Sequence, residues 1–222
     1  MPSTRKPIAR PREALSRDRV LCAALALADQ RGIAAVTMRA LAEQLGVEAM
    51  TLYYYVARKD EILEGIADMV AGEIDLPPPG PDWRAALRTT AISAHDVLVR
   101  HQWANNLMLS SPVGPARMRY MNAVLGRLRE AGFSAAMTDV AYHVLDSHIV
   151  GSTLWQAGYA SLPRDLNDIA TDFLRELPVA EYPFLAEHVE QHLAERDPET
   201  KSAFEFGLDL ILDGLEAIRS PA

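Results

Sequence analysis

Apolar positions recur every three or four residues through most of the chain, and no stretch alternates with a period of two for long enough to predict a sheet. The pattern predicts an all-α protein. A first helix starts at Ser16, whose hydroxyl can accept from an orphan backbone N–H, with Leu15 and Val20 placed as a hydrophobic staple, and Gly32 ends it. A short second helix follows Thr37 and stops at Gly46, and a third covers about Ala49 to Val56. A fourth runs from Lys59 towards Asp75, with Asp60 and Glu61 in its first turn where the helix dipole favours acids. Pro77, Pro78, Pro79 and Pro81 then remove four backbone donors around Gly80, and helix cannot pass through them. Beyond them Asp82 caps a helix to about Gln102. Further helices are expected at roughly Pro115 to Ala131, Ala135 to Gly158, Leu166 to Leu177, Phe184 to Arg196 and Thr200 to Arg219.

Charge divides the chain at the same place. The 222 residues carry a formal net charge of -8, yet Met1 to Lys59 holds ten Lys/Arg against five acids, so the remainder is strongly acidic. A basic head attracts a phosphate backbone by counterion release, and an acidic body stays off it. No run is apolar enough to span a membrane, and the N-terminal Arg5, Lys6, Arg10 and Arg12 lack the apolar segment of a secretory signal, so a cytoplasmic chain is expected. The basic arm itself can either enter a minor groove or stay solvated. Cys22 is the single cysteine, which excludes an internal disulfide and a cysteine zinc cluster.

Between Met38 and Tyr55 the small and apolar positions have the spacing of a helix-turn-helix. Leu41, Leu45, Val47 and Leu52 face inward, Ala42 is small where the helices cross, and Gly46 supplies the positive φ of the turn. Ala49, Met50, Thr51, Tyr53, Tyr54 and Tyr55 are left outward, with Lys59 beyond them. Hydroxyls and rings of this kind can meet phosphates, base edges and thymine methyls. An ordinary helical hairpin with half-buried tyrosines is the plainer reading.

These residues resemble the TetR family of one-component bacterial repressors. The likeness rests on Thr37-Met38-Arg39-Ala40-Leu41-Ala42-Glu43-Gln44-Leu45-Gly46-Val47 and Thr51-Leu52-Tyr53-Tyr54-Tyr55-Val56, followed by Lys59. It extends to a tetracycline-repressor type of C-terminal domain through Ala131-Gly132-Phe133 and Phe206-Gly207-Leu208-Asp209 with Ile211-Leu212-Asp213-Gly214-Leu215. The resemblance implies that Thr37 and Arg39 lie at the groove entrance, that Thr51, Tyr53 and Tyr55 reach bases or backbone, and that Lys59 holds a phosphate. Arg58 departs from the family's usual Ser or Asn cap. Ala49 and Met50 cannot donate hydrogen bonds, which limits them to apolar contact or shape.

The last helix carries two apolar stripes, Phe204, Leu208, Ile211, Leu215 and Ile218 beside Ala203, Gly207, Leu210, Gly214 and Ala217. Both should be buried, one against the chain's own core and the glycine-bearing one against another helix at close range. Because the resemblance implies dimers built from this helix and Ala135 to Gly158, the interface is expected at Ala203, Gly207, Leu208, Ile211, Gly214 and Leu215.

Chemistry in the body is sparse. His188 and His192 stand one turn apart near Glu195, but the zincin pattern is absent and a solvated face is the expectation, with no metal site assigned. His143, Asp146 and Ser147 lie at i, i+3 and i+4 without a hydrolase elbow, so His143 is expected to be a hydrogen-bonded core residue and no catalytic residue is assigned. Met108, Met118 and Met121 with Trp103 and Trp155 are either an adaptable pocket lining or core filler. The resemblance places Met108 where tetracycline-binding members have a magnesium-binding histidine, and Thr90 where they have an amide. It therefore implies a mainly apolar effector without metal, held by Thr90, Trp103, Met108, Met121, His143 and Trp155.

The expected protein is an all-α homodimeric regulator without cofactor. Residues 1–74 form an arm and a three-helix DNA-binding head, 75–81 a proline-rich hinge, and 82–222 the effector-binding and dimerisation domain. Its partners are a palindromic double-stranded DNA operator and a small-molecule effector that releases it. The rival is a small-molecule-binding helical enzyme whose N-terminal hairpin is only structural, against which stands the lack of a nucleophile elbow, metal set or phosphate loop.

Overall fold

The computed structural model describes residues 14–194 and 201–219, which form eleven α-helices, one 3-10 turn and no strand. The helices are α1 (Arg17–Arg31), α2 (Met38–Leu45), α3 (Ala49–Leu52), α4 (Lys59–Gly72), α5 (Trp83–Arg100), α6 (Ala104–Ser110), α7 (Pro115–Glu130), α8 (Ala135–Ala160), α9 (Leu166–Glu176), α10 (Pro183–Leu193) and α11 (Ala203–Ile218). The basic arm, Glu195, Arg196 and Thr200 lie outside the described residues.

Local chemistry sets most boundaries. Ser16, Thr37, Asp82, Ser134 and Ser202 each accept a backbone N–H with the side chain at a helix start, and Gly46 takes the left-handed conformation (φ 68°, ψ 39°) that closes α2. Two expectations change. The third helix ends at Leu52 instead of Val56, because Tyr54 and Tyr55 bond three residues back, to Thr51 and Leu52, and three successive aromatics are weak helix formers. The short α6 and the 3-10 turn Ile33–Ala35 escape the periodicity, being too brief to show a stripe.

The chain divides into two compact units, Met1–Ile66 and Ala67–Ala222, and the division falls within α4. In the first unit, α1, α2 and α3 bury Val20, Leu21, Leu27, Leu41, Ala42 and Leu52. Gly65 lies so close to Leu21 that a Cβ would meet its methyl carbon at 2.7 Å. In the second unit, α5, α7 and α11 pack on the long α8. The C-terminal part of α4 belongs here: Asp68 accepts from the backbone N–H groups of Ala116 and Arg117, and Glu73 meets His101 at 3.2 Å. The proline run is tied down by Arg127, which donates to the carbonyls of Pro78 and Gly80.

Along α11 an ionic seam faces α5, with Trp83 Nε1 donating to Glu216 and Arg88 pairing with Asp209 and Glu205. Its apolar residues split unequally. Phe204, Leu208, Leu212 and Leu215 are buried, whereas Phe206 and Leu210 remain 60% and 57% exposed. Within the single chain the stripe that holds Leu210 is therefore left uncovered. Leu208 and Leu215, expected at a dimer interface, are core residues of the chain itself. Gly207 does make a close approach, but to His148 of α8 in the same chain, and a Cβ at Gly214 would meet nothing.

Candidate nucleic-acid interface and interior cavity

The helix-turn-helix presents its polar and aromatic residues outward. Leu41, Ala42 and Leu52 are buried beneath it, which fixes the register of α3. Met50 is 70% and Tyr54 87% exposed, and Tyr53 and Tyr55 are exposed beside them. Large apolar surface is rarely left to water without use. Arg39, Arg58 and Lys59 are also exposed, whereas Ala49 and Thr51 are half-buried. Thr37 is exposed but its hydroxyl already accepts from Ala40 N–H at 3.2 Å, so its first role is to cap α2. At the start of α4, where Arg58 replaces a capping residue, Glu61 reaches back to accept from Ala57 N–H at 2.9 Å. That bond, with the nearby Arg17, holds the Glu61 carboxyl below its ordinary range.

The second unit contains a narrow, partly enclosed cavity. Its apolar lining includes Leu98, Met108, Ile149 and Val150. Its polar lining is Asn105, Arg117, Tyr120, Tyr142 and Asp146. Arg117 donates to the Met108 carbonyl, which anchors the guanidinium at the cavity wall. Burial raises the Asp146 carboxyl above its ordinary pKa, partly offset by Arg117 and His143. Burial likewise raises Tyr120 and pushes Tyr142 up to about 12, so both phenols remain neutral donors.

Of the residues expected around an effector, Met108 lines this cavity. Thr90 is buried with its hydroxyl lacking a hydrogen-bond partner among the described residues. Trp103 and Met121 are half-buried away from the lining, and Trp155, 69% exposed, sits in a surface groove with Leu154, Tyr159 and Leu162. His143 is not a core residue: its side chain is 68% exposed and lies 3.6 Å from Asp139. The buried histidines are His95 and His101. Sequence reasoning missed Arg117 and Tyr120, three apart on α7, and Tyr142 on α8, and it took up Asp146, four residues on from Tyr142, only beside His143 and Ser147. The one signal was a carboxylate one turn from a tyrosine on a mostly apolar helix.

Two family models cover most of the chain. That described as bacterial regulatory proteins, tetR family, matches residues 20–66, and that described as tetracyclin repressor-like, C-terminal domain, matches residues 76–219. The chain belongs to the tetR family of bacterial regulatory proteins. It is 32% identical over 225 residues to the HTH-type transcriptional repressor DrrR1 of Streptomyces coeruleorubidus, covering 96% of this chain and 82% of that protein. It is 29% identical over 209 residues to the tetracycline repressor protein class C of Escherichia coli, covering 92% of each. Among solved structures it is similar to a possible TetR family transcriptional regulator from Streptomyces coelicolor A3(2), with 30% identity, a TM-score of 0.77 and coverage of 92% of this chain and 100% of that one. It is also similar to the Streptomyces coelicolor TetR family protein ActR in complex with actinorhodin, with 25% identity, a TM-score of 0.76 and coverage of 94% and 100%. The helix-turn-helix is thus the DNA-binding element of a tetR-family transcriptional regulator, and the second unit carries the family's ligand-binding domain. Among the described residues no helix is long and apolar enough to cross a membrane.

Proposed function

We propose that this tetR-family regulator is a homodimeric repressor that a small molecule releases from a palindromic operator. The observation that carries the reading is the exposed surface of Met50, Tyr53, Tyr54 and Tyr55 above a buried Leu52. These residues, with Arg39, Ala49, Thr51 and Lys59, form the operator surface, and Thr37 holds the groove-facing end of α2 in register. Phosphate contacts from Lys59 and the tyrosine hydroxyls position the protein, while Met50 and Ala49 read shape and thymine methyls.

The effector occupies the cavity beside Met108. The expected ligand is mainly apolar, and the polar residues there add a polar end to it: an apolar body fits Leu98, Met108, Ile149 and Val150, and the polar end faces Arg117, Asp146 and the two phenols. Effector and operator favour different conformations, so each lowers the other's affinity by the same factor, commonly about 1–3 kcal/mol. A second copy covers the exposed apolar residues of α11, Phe206 and Leu210, beside Ala203 and Gly214.

The test is selection of an operator from random duplex DNA, followed by a salt titration of binding. Tyr54→Ala and Lys59→Ala should each weaken binding while the circular dichroism spectrum stays that of the wild type, and Lys59→Ala should reduce the salt slope by about one phosphate. Wild-type affinity in both variants overturns the placement of the reading surface.

A further inference from the structure

The second unit contains an imidazole pair that the regulatory reading does not use. On α10, His188 and His192 are one turn apart, both exposed, with their Nε2 atoms 3.3 Å from each other and their rings perpendicular at a centroid separation of 4.7 Å. The other four histidines spend Nε2 on protein groups: His95 faces Gln156, His101 faces Glu73, His143 faces Asp139 and His148 faces the Phe204 carbonyl. Only at His188 and His192 do two imidazole nitrogens face each other, and they do so on an exposed helix surface.

That separation has a definite meaning for coordination. A tetrahedral metal about 2.0–2.1 Å from each of two imidazole nitrogens requires them to be about 3.3 Å apart. The side chains already stand at the required spacing, so binding needs little rotamer change and little ordering cost. Without metal, one Nε2–H donates to the other Nε2. On binding, that hydrogen relocates to Nδ1 of its own ring, freeing both Nε2 lone pairs, with no change of charge or oxidation state. Among the described residues no group of three His, Cys, Asp or Glu side chains is arranged to hold a metal, so the pair itself is the chelating unit.

We propose that His188 and His192 form a surface chelate for a transition-metal dication of the zinc, nickel and copper class, the ions for which imidazole is a favoured ligand. The site is separate from the effector cavity, whose lining includes no residue of α10.

Nickel titrated into the untagged full chain, followed by calorimetry, tests this. One ion per chain should bind, and His188→Ala or His192→Ala should each weaken binding by at least about tenfold, because either change turns a chelate into a single-ligand site. His143→Ala, which removes an exposed histidine elsewhere, should leave binding unchanged, and circular dichroism should show all three variants folded. No wild-type binding up to about 1 mM nickel, or retention of affinity in both α10 variants, overturns the proposal.

Discussion

Asp68 caps the helix that carries Arg117. Its carboxylate accepts from Ala116 N–H at 2.9 and 3.1 Å and from Arg117 N–H at 3.0 Å, forty-eight and forty-nine residues away in sequence. The first N–H groups of α7 have no partner within the helix, and a negative charge there also meets the favourable end of the helix dipole. Gly114 makes the approach possible, because a Cβ on it would lie 2.4 Å from the Asp68 carboxyl carbon. Asp68→Ala should therefore destabilise the protein by about 1–2 kcal/mol, the ordinary cost of losing a cap. Gly114→Ala should destabilise it too, by displacing the same carboxylate. Thermal unfolding of the two single variants and the double checks this: shared cause makes the double variant less harmful than the sum.

The carboxylates Asp209 and Asp146 should respond to acid with opposite signs. Lys201 and Arg88 hydrogen-bond to Asp209 and lower its carboxyl to about 2, whereas burial raises that of Asp146. A depressed value means stability that is present above the unfolded carboxyl's pKa of about 4 and lost as pH falls from there towards 2. A raised value means a cost that is absent below about 4, grows as pH rises from there to the folded value and stays constant above it. Asp209→Asn should accordingly lower the thermal midpoint at pH 7, and Asp146→Asn should raise it. Both differences from wild type should shrink as the midpoint is measured at successively lower pH. A raised midpoint for Asp209→Asn at pH 7 contradicts the ion-pair account.

The carboxylates Asp68 and Asp146 also mark how far the sequence could be read. The caps at Ser16, Thr37 and Asp82 and the turn at Gly46 depend on neighbours within four residues, and pattern alone reveals them. The partner of Asp68 and the inward face of Asp146 depend on which helices meet, which no local pattern encodes. His143 illustrates the error that follows. It sits one residue from buried Tyr142 on α8, and a single step of about 100° around the helix takes its side chain from the core to solvent. The same geometry made Leu208 and Leu210, two apart on α11, opposite in burial although both belong to apolar stripes.

Gly207 should tolerate no side chain. A Cβ there would lie 2.5 Å from Cε1 of His148, and that ring cannot swing aside freely: its Nε2–H donates to the Phe204 carbonyl at 2.9 Å and its plane stacks on the Phe204 ring. Gly207→Ala should cost about 1–3 kcal/mol, the usual price of overpacking a well-filled contact. In the background of His148→Ala, which removes the obstructing ring, the same change should cost much less. Denaturant unfolding of the four proteins in the cycle measures the difference, and an equal cost in both backgrounds refutes the steric explanation.

The burial of α11 separates association from folding. Leu208 is fully buried within the chain, so Leu208→Glu places a charge in the protein's own core and should unfold it. Leu210 and Phe206 lie on the outer face, where a charge costs the isolated chain little. In the proposed homodimer those two residues are covered by the second copy, and Leu210→Glu then puts an unpaired charge into a desolvated contact. The expected result is a folded Leu210→Glu monomer with wild-type circular dichroism beside a dimeric wild type, each measured by sedimentation equilibrium at micromolar concentration. Because palindromic sites are read by two heads at once, the monomer should also lose most of its operator affinity although the residues of its reading surface are unchanged. A wild-type protein that sediments as a monomer, or a Leu210→Glu variant that remains dimeric, places the interface elsewhere than on this face of α11.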